Sequence, residues 1–199
     1  MKNFRKVLSG IDVQSLLRQL QDHPDLWGKD TEWTRKKGAR AEAIYNEENI
    51  VLRYLTLGMG LDRRLFLFEE GRDRDNWTRP AFHVLTAAQP IVFDLMRAVP
   101  GEHLGHVIIT RLPPGGKITP HIDRWPTVVA GPPYWQRHQI PLSAAPGVTF
   151  HCGGEHLYME PGCAYWFDNQ VLHSITNESG EDRISMLVDI RPFVSIAPS

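Results

Sequence analysis

Cysteine is scarce. Only Cys152 and Cys163 occur in 199 residues, too few for a disulfide-built scaffold. Both are expected to be reduced thiols, with a bridge across a hairpin as the alternative. No apolar run approaches the ~20 residues that a membrane-spanning helix requires. The opening Met-Lys-Asn-Phe-Arg-Lys is not followed by the apolar stretch of a secretion signal, so a cytoplasmic protein without membrane contact is expected. An excess of either charge is missing too. A formal charge of −1 and a pI near 6.8 offer no long-range attraction to nucleic acid. Aromatic residues are not interleaved with a basic stripe either, which disfavours a nucleic-acid platform. No repeat, low-complexity tract or linker divides the chain, so 1–199 is read as one domain.

What is present changes character near residue 104. In 1–104, a region expected to support the rest, residues 1–30 read as a helical lead-in. Val13, Leu16, Leu17 and Leu20 recur at helical spacing, Asp12 is placed to cap the helix, and His23-Pro24 ends it. Ile50–Tyr54 reads as a strand. Residues 58–80, rich in glycine and charge, are either a lid near a site or, more simply, a surface hairpin. Pro90 is expected to open a helix running to Val99, with Ile91, Val92, Leu95 and Met96 on its apolar face. In 105–192 short strand candidates (Val107–Leu112, Val148–Cys152, Tyr165–Phe167, Ile184–Ile190) alternate with glycine and proline turns. That pattern predicts a mainly β sandwich or jelly roll, buttressed by the helices in front.

Candidate chemistry lies in this second half. Side chains two apart on a strand share a face, so His121 and Asp123 form a two-toothed clamp, and His173 is the expected third ligand. Two neutral imidazoles and one carboxylate suit Fe(II) and leave coordination positions for a 2-oxo acid and O2. A 2-oxo diacid such as 2-oxoglutarate also needs a cation at its far carboxylate, and arginine offers a matching two-pronged donor. Arg183 is the candidate, with Thr110 as a hydroxyl donor to the same group. Arg137 is expected to meet either the carboxylate at the iron end or the substrate. Trp125, Tyr134 and Trp135 line a substrate pocket or fill the core, the two readings being equally supported. His103 and His106 are expected in a loop or at an edge. His138 should face away from Arg137, and His151 with His156 is a minor alternative metal pair. Asp189 is expected to serve the fold.

The stretches Pro113–Asp123, Arg137–Leu142, Pro161–Asn169 followed by His173, and Arg183–Ile190 resemble the aspartyl/asparaginyl β-hydroxylase family of Fe(II)/2-oxoglutarate oxygenases. The likeness spans about Gly105 to Pro192, and more loosely starts at Ile50. It implies a double-stranded β-helix, cupin-like in shape, with metal binding by His121 and His173. It also implies Arg183 and Thr110 at the far carboxylate of 2-oxoglutarate and Arg137 nearer the iron. The resemblance departs at two places. The animal enzyme that names the family lacks the carboxylate ligand, whereas Asp123 is present here, and Gln139 stands where that enzyme has a histidine. The expected activity is hydroxylation of an amino-acid-type side chain, free or within a peptide or protein. The rivals are a cupin-type metalloenzyme that does not use 2-oxoglutarate, for which Pro161-Gly162 and His173-x-x-x-Asn177 speak, and a non-catalytic binding protein.

Overall fold

Residues 1–29, 44–45, 47–53, 80–99, 101–123 and 135–192 are described by a computed structural model of the chain. The framework is two antiparallel sheets facing each other. The strands are β1 (Phe4–Leu8), β2 (Ile44–Tyr45), β3 (Glu48–Arg53), β4 (Gly101–Leu112), β5 (Lys117–His121), β6 (Gln136–Ser143), β7 (Val148–Cys152), β8 (Glu155–Leu157), β9 (Ala164–Phe167), β10 (His173–Asn177) and β11 (Arg183–Pro192). The larger sheet has the order β1-β9-β6-β11-β4-β3 and the smaller β2-β5-β10-β7-β8. This is the jelly-roll, double-stranded β-helix architecture, mainly β as expected.

Period-two alternation along β11 organises the interior. Met186, Val188 and Ile190 face outward from the sandwich, where they join Ile109 and Val107 of β4 and Ile140 and Leu142 of β6. Helices α1 (Gln14–Asp22), α2 (Pro80–Val84) and α3 (Ala88–Ala98) cover that face through Leu16, Leu20, Phe82, Ile91, Val92 and Leu95. A second apolar cluster lies between the sheets: Phe4, Leu112, Val148, Phe150, Cys152, Tyr165, Phe167 and Ile175. Helix α1 begins as its sequence predicts. Asp12 Oδ1 accepts from the backbone N–H of Gln14 at 3.0 Å and of Ser15 at 3.3 Å, which satisfies donors that have no partner in the first turn.

Several boundaries differ from expectation. Residues 4–8 are not helical lead-in but the edge strand β1, paired with β9; local pattern hid this because the partner lies some 160 residues away. Helix α3 starts at Ala88, leaving Pro90 within its first turn, where its missing N–H costs nothing. Pro80 opens the short helix α2 rather than closing a hairpin. The division at residue 104 falls inside β4, and β1 to β3 belong to the same two sheets as the second half. Strands β5, β6, β8 and β10 were not anticipated as separate elements. Cys152 and Cys163 are both free and buried, so no bridge spans the hairpin. Tyr54, residues 58–79, Trp125 and Tyr134 lie outside the described residues.

Candidate metal centre

His121 ends β5 and His173 begins β10, and the two are direct cross-strand partners. Their rings lie 4.3 Å apart between centroids. Each Nδ1 sits against a backbone carbonyl two residues earlier, His121 on Thr119 O at 2.8 Å and His173 on Val171 O at 2.9 Å. A carbonyl only accepts, so each Nδ1 carries the proton and each Nε2 lone pair points elsewhere. Both Nε2 atoms turn to Asp123: His121 Nε2 is 3.7 Å from Oδ1, and His173 Nε2 is 3.9 Å from Oδ2. Among the described residues, these three form a group whose ligand atoms all lie within 4.8 Å of one another. Burial pulls the His173 pKa down to about 4, against the opposing pull of Asp123. The ring is therefore neutral at pH 7, the form a metal requires. Phe150 stacks beside it and Phe167 meets it edge-on.

Asp123 reaches this group by a route the alternation argument did not foresee. Strand β5 stops at His121, and Asp123 lies beyond it, held by the loop before β10. Its backbone N–H donates to Asn169 O at 3.1 Å, and Gln170 Nε2 donates to its carbonyl at 3.3 Å. The side chain is 2 % exposed. A buried carboxylate between two imidazoles whose protons are turned away is a donor set that fits a divalent iron.

On the inner face of the larger sheet, β4, β6 and β11 carry polar side chains that are just as buried. Arg183 is 2 % exposed, and its Nη1 has no hydrogen-bond partner among the described residues. Its Nη2 donates to Gln139 Oε1 at 3.1 Å, and Ser185 Oγ donates to the same oxygen at 2.7 Å. Gln139, where the resemblance led one to look for a histidine, thus orients the guanidinium from the side. Burial draws the Arg183 pKa down to about 10, with Glu47 opposing; the group still carries its charge at neutral pH. A buried cation with an unpartnered prong is costly alone and fits an incoming carboxylate. Thr110 lies on β4 directly across from Ser185.

Arg137 lies elsewhere on this face. Its Nε and Nη2 donate to the two oxygens of Asp189 at 2.7 and 2.9 Å, and its Nη1 donates to Asp123 Oδ2 at 2.5 Å. Burial would push the Asp189 carboxyl up, yet the Arg137 guanidinium and the His106 hydrogen bond together hold it well below the usual carboxylate range. His106 is therefore not the loop or edge residue expected from sequence. It lies inside β4, buried, with Nδ1 3.0 Å from Asp189 Oδ2. His103 also lies within β4. Trp135 is buried beside Gly105. His138 is buried on the face of β6 opposite Arg137, as strand alternation predicts. His151 and His156 are exposed partners on the β7–β8 hairpin, apart from the three-ligand group.

Sequence reasoning passed over Ser185, Glu47 and the link between His106 and Asp189. One signal was available: Arg183, Ser185 and Asp189 share one parity on a strand whose other parity is wholly apolar.

Comparison with known proteins places the chain further. The family model described as Aspartyl/Asparaginyl beta-hydroxylase matches residues 63–192, about two thirds of the 199 residues. No curated protein matches the chain. Among solved structures, it is similar to the viral collagen prolyl hydroxylase of Paramecium Bursaria Chlorella virus-1, solved as a 2OG complex. The identity is 11 %, the TM-score is 0.53, and 96 % of each chain is covered. A Pseudomonas putida prolyl-4-hydroxylase matches at 16 % identity and a TM-score of 0.51, over 96 % of this chain and 92 % of that one. At such identities the likeness is one of fold.

Proposed function

The chain belongs to the aspartyl/asparaginyl β-hydroxylase family, and from that premise we propose that it is an Fe(II)- and 2-oxoglutarate-dependent dioxygenase that hydroxylates an amino-acid-type side chain. The substrate is a free amino acid or a residue of a peptide or protein. His121, Asp123 and His173 hold the iron through His121 Nε2, His173 Nε2 and the Asp123 carboxylate. Iron held there would supply the coordination positions and redox chemistry for 2-oxoglutarate-coupled hydroxylation of a substrate C–H bond. Arg183 takes the far carboxylate of 2-oxoglutarate with its unpartnered Nη1, while Gln139 and Ser185 hold the guanidinium in plane. Thr110 adds a hydroxyl from the adjacent strand. Arg137 is assigned to the metal side, a reading supported by its Nη1 donating to Asp123 Oδ2 while Nε and Nη2 donate to Asp189. Trp135 is assigned to the substrate side.

One observation carries this reading: a three-ligand group and a buried, incompletely partnered guanidinium share the interior of one sandwich. A cupin-type enzyme that ignores 2-oxoglutarate has no need of that second element. The direct test is anaerobic addition of Fe(II) and then 2-oxoglutarate, which should produce a weak visible charge-transfer band. Folded, metal-loaded protein without that band sinks the reading. Succinate release in a screen of free amino acids, then of Asp- and Asn-containing peptides, identifies the substrate. No helix among the described residues is long and apolar enough to cross a membrane.

A further inference from the structure

We infer that Arg137 is a positioning residue for the metal-binding carboxylate, anchored in turn by Asp189 and His106. This inference rests on the reading of Asp123 as a metal ligand. The geometry that carries it begins with a register shift. Between Val188 and Ile190 of β11, the partners on β4 run from Val107 to Leu104, so Asp189 alone faces both Gly105 and His106. The extra residue lies on β4, where such a bulge re-aims a side chain and brings His106 to Asp189, while Arg137 meets Asp189 as its direct cross-strand partner on β6. The position opposite must be glycine. A Cβ on Gly105 would lie 2.8 Å from Trp135 Cζ3 and 2.9 Å from Asp189 Cβ, closer than real contacts allow.

Asp189, fully buried, accepts from Arg137 Nε and Nη2 on its two oxygens, and His106 Nδ1 reaches Oδ2 at 3.0 Å. A guanidinium gripped through two prongs has its plane fixed, and its third prong is then fixed as well. That third prong, Nη1, donates to Asp123 Oδ2. Asp123 stands outside strand β5, so pleat geometry does not set its side chain; Asn169 and Gln170 hold its backbone, and its carboxylate accepts from Arg137. Lysine, with a single ammonium on a flexible stem, cannot grip one carboxylate on two sides and orient another.

The test measures metal affinity apart from turnover. Co(II) is titrated into apoprotein by calorimetry and by its visible d–d absorption, in the parent chain, Asp189→Asn, Arg137→Lys and the double variant Arg137→Met/Asp189→Leu. The double variant removes both buried charges together, which avoids leaving one of them unpaired, and a cooperative thermal transition confirms that it folds. Loss of outer partners of metal ligands typically weakens binding about ten- to a hundred-fold, and that loss, with a changed Co(II) spectrum, is expected in all three. The apparent KM for 2-oxoglutarate should change little in Asp189→Asn. Parent-like Co(II) affinity and spectrum in the folded double variant would overturn the inference. A rise in the 2-oxoglutarate requirement without loss of metal affinity would do the same, by returning Arg137 to the cosubstrate. If the parent chain itself binds no Co(II), the metal reading of the preceding section fails instead, and the two failures are distinguishable.

Discussion

The two faces of the larger sheet are equally dry and chemically opposite. Outward, Ile109, Ile140, Met186, Val188 and Ile190 are each 1 % exposed or less. Inward, His106, Thr110, Arg137, Gln139, Arg183, Ser185 and Asp189 are all at or below 8 %. An antiparallel sheet usually sorts apolar residues to the core and polar ones to water. Here alternation sorts apolar from polar, but water is on neither side. The outer face needs only hydrophobic company, which the helices supply. The inner face needs specific partners, because a buried polar group without one costs free energy. It finds them within itself, in Arg137 with Asp189 and His106, and in Gln139 with Arg183 and Ser185. The prong of Arg183 left over is where a ligand is called for. Packing thus stabilises one side of the sheet, and the other side is built for binding.

The largest expected effect comes from removing a ligand on the inner side. His121→Ala or Asp123→Ala should abolish succinate formation and Co(II) binding while thermal unfolding remains cooperative; a variant that still binds metal breaks the assignment. On the outer side, Met186→Ala should lower stability by about 2–5 kcal/mol through the cavity it leaves. Denaturant unfolding measures this, and Co(II) affinity should stay at the parent value. If metal affinity falls equally, the two faces are not separable.

His138 gives a third comparison, since it lies on the apolar side. Burial lowers its pKa from 6.5 to about 4. Below pH 6.5 the unfolded chain takes up a proton that the native state refuses until about pH 4. Stability should therefore fall as pH drops through that window, by about 3 kcal/mol for this group. His138→Leu should remove that slope, as unfolding midpoints at pH 7 and pH 4.5 would reveal. An unchanged slope shows that other groups dominate.

Arg183→Met sharpens the comparison from the inner side. It should raise the 2-oxoglutarate requirement about ten- to a hundred-fold, the worth of a hydrogen bond to a charged group at about 1.5–3 kcal/mol. Apoprotein stability should hold or rise, because a desolvated guanidinium with an unpartnered Nη1 is removed from the interior. A marked loss of stability instead would mean that the guanidinium mainly serves the fold.

Much of the site was legible because its parts are local. His121-x-Asp123, His173 and Arg183 are recognisable by residue type and spacing, and the turns around them announced short strands. The alternation argument for Asp123 gave an incomplete reason for its place beside His121 and His173, since the loop at Asn169 and the Arg137 contact hold it. His106 was misplaced because nothing near it in sequence signals its partner, 83 residues away at Asp189. Strand β1 was missed for the same reason, as its pairing with β9 lies at the far end of the chain.

By itself, the order of residues determined the repertoire: which groups can bind a metal, which can grip a carboxylate, where turns fall, and which parity of each strand is apolar. Those depend on side-chain chemistry and on the two-residue pleat, both local. The tertiary structure decided which polar groups meet and which are left incompletely paired. Pairing register, the β4 bulge opposite Asp189 and the burial of the inner face follow from how two sheets close on each other. Only that closure assigns Arg137 to Asp123 and leaves Arg183 with a prong to fill.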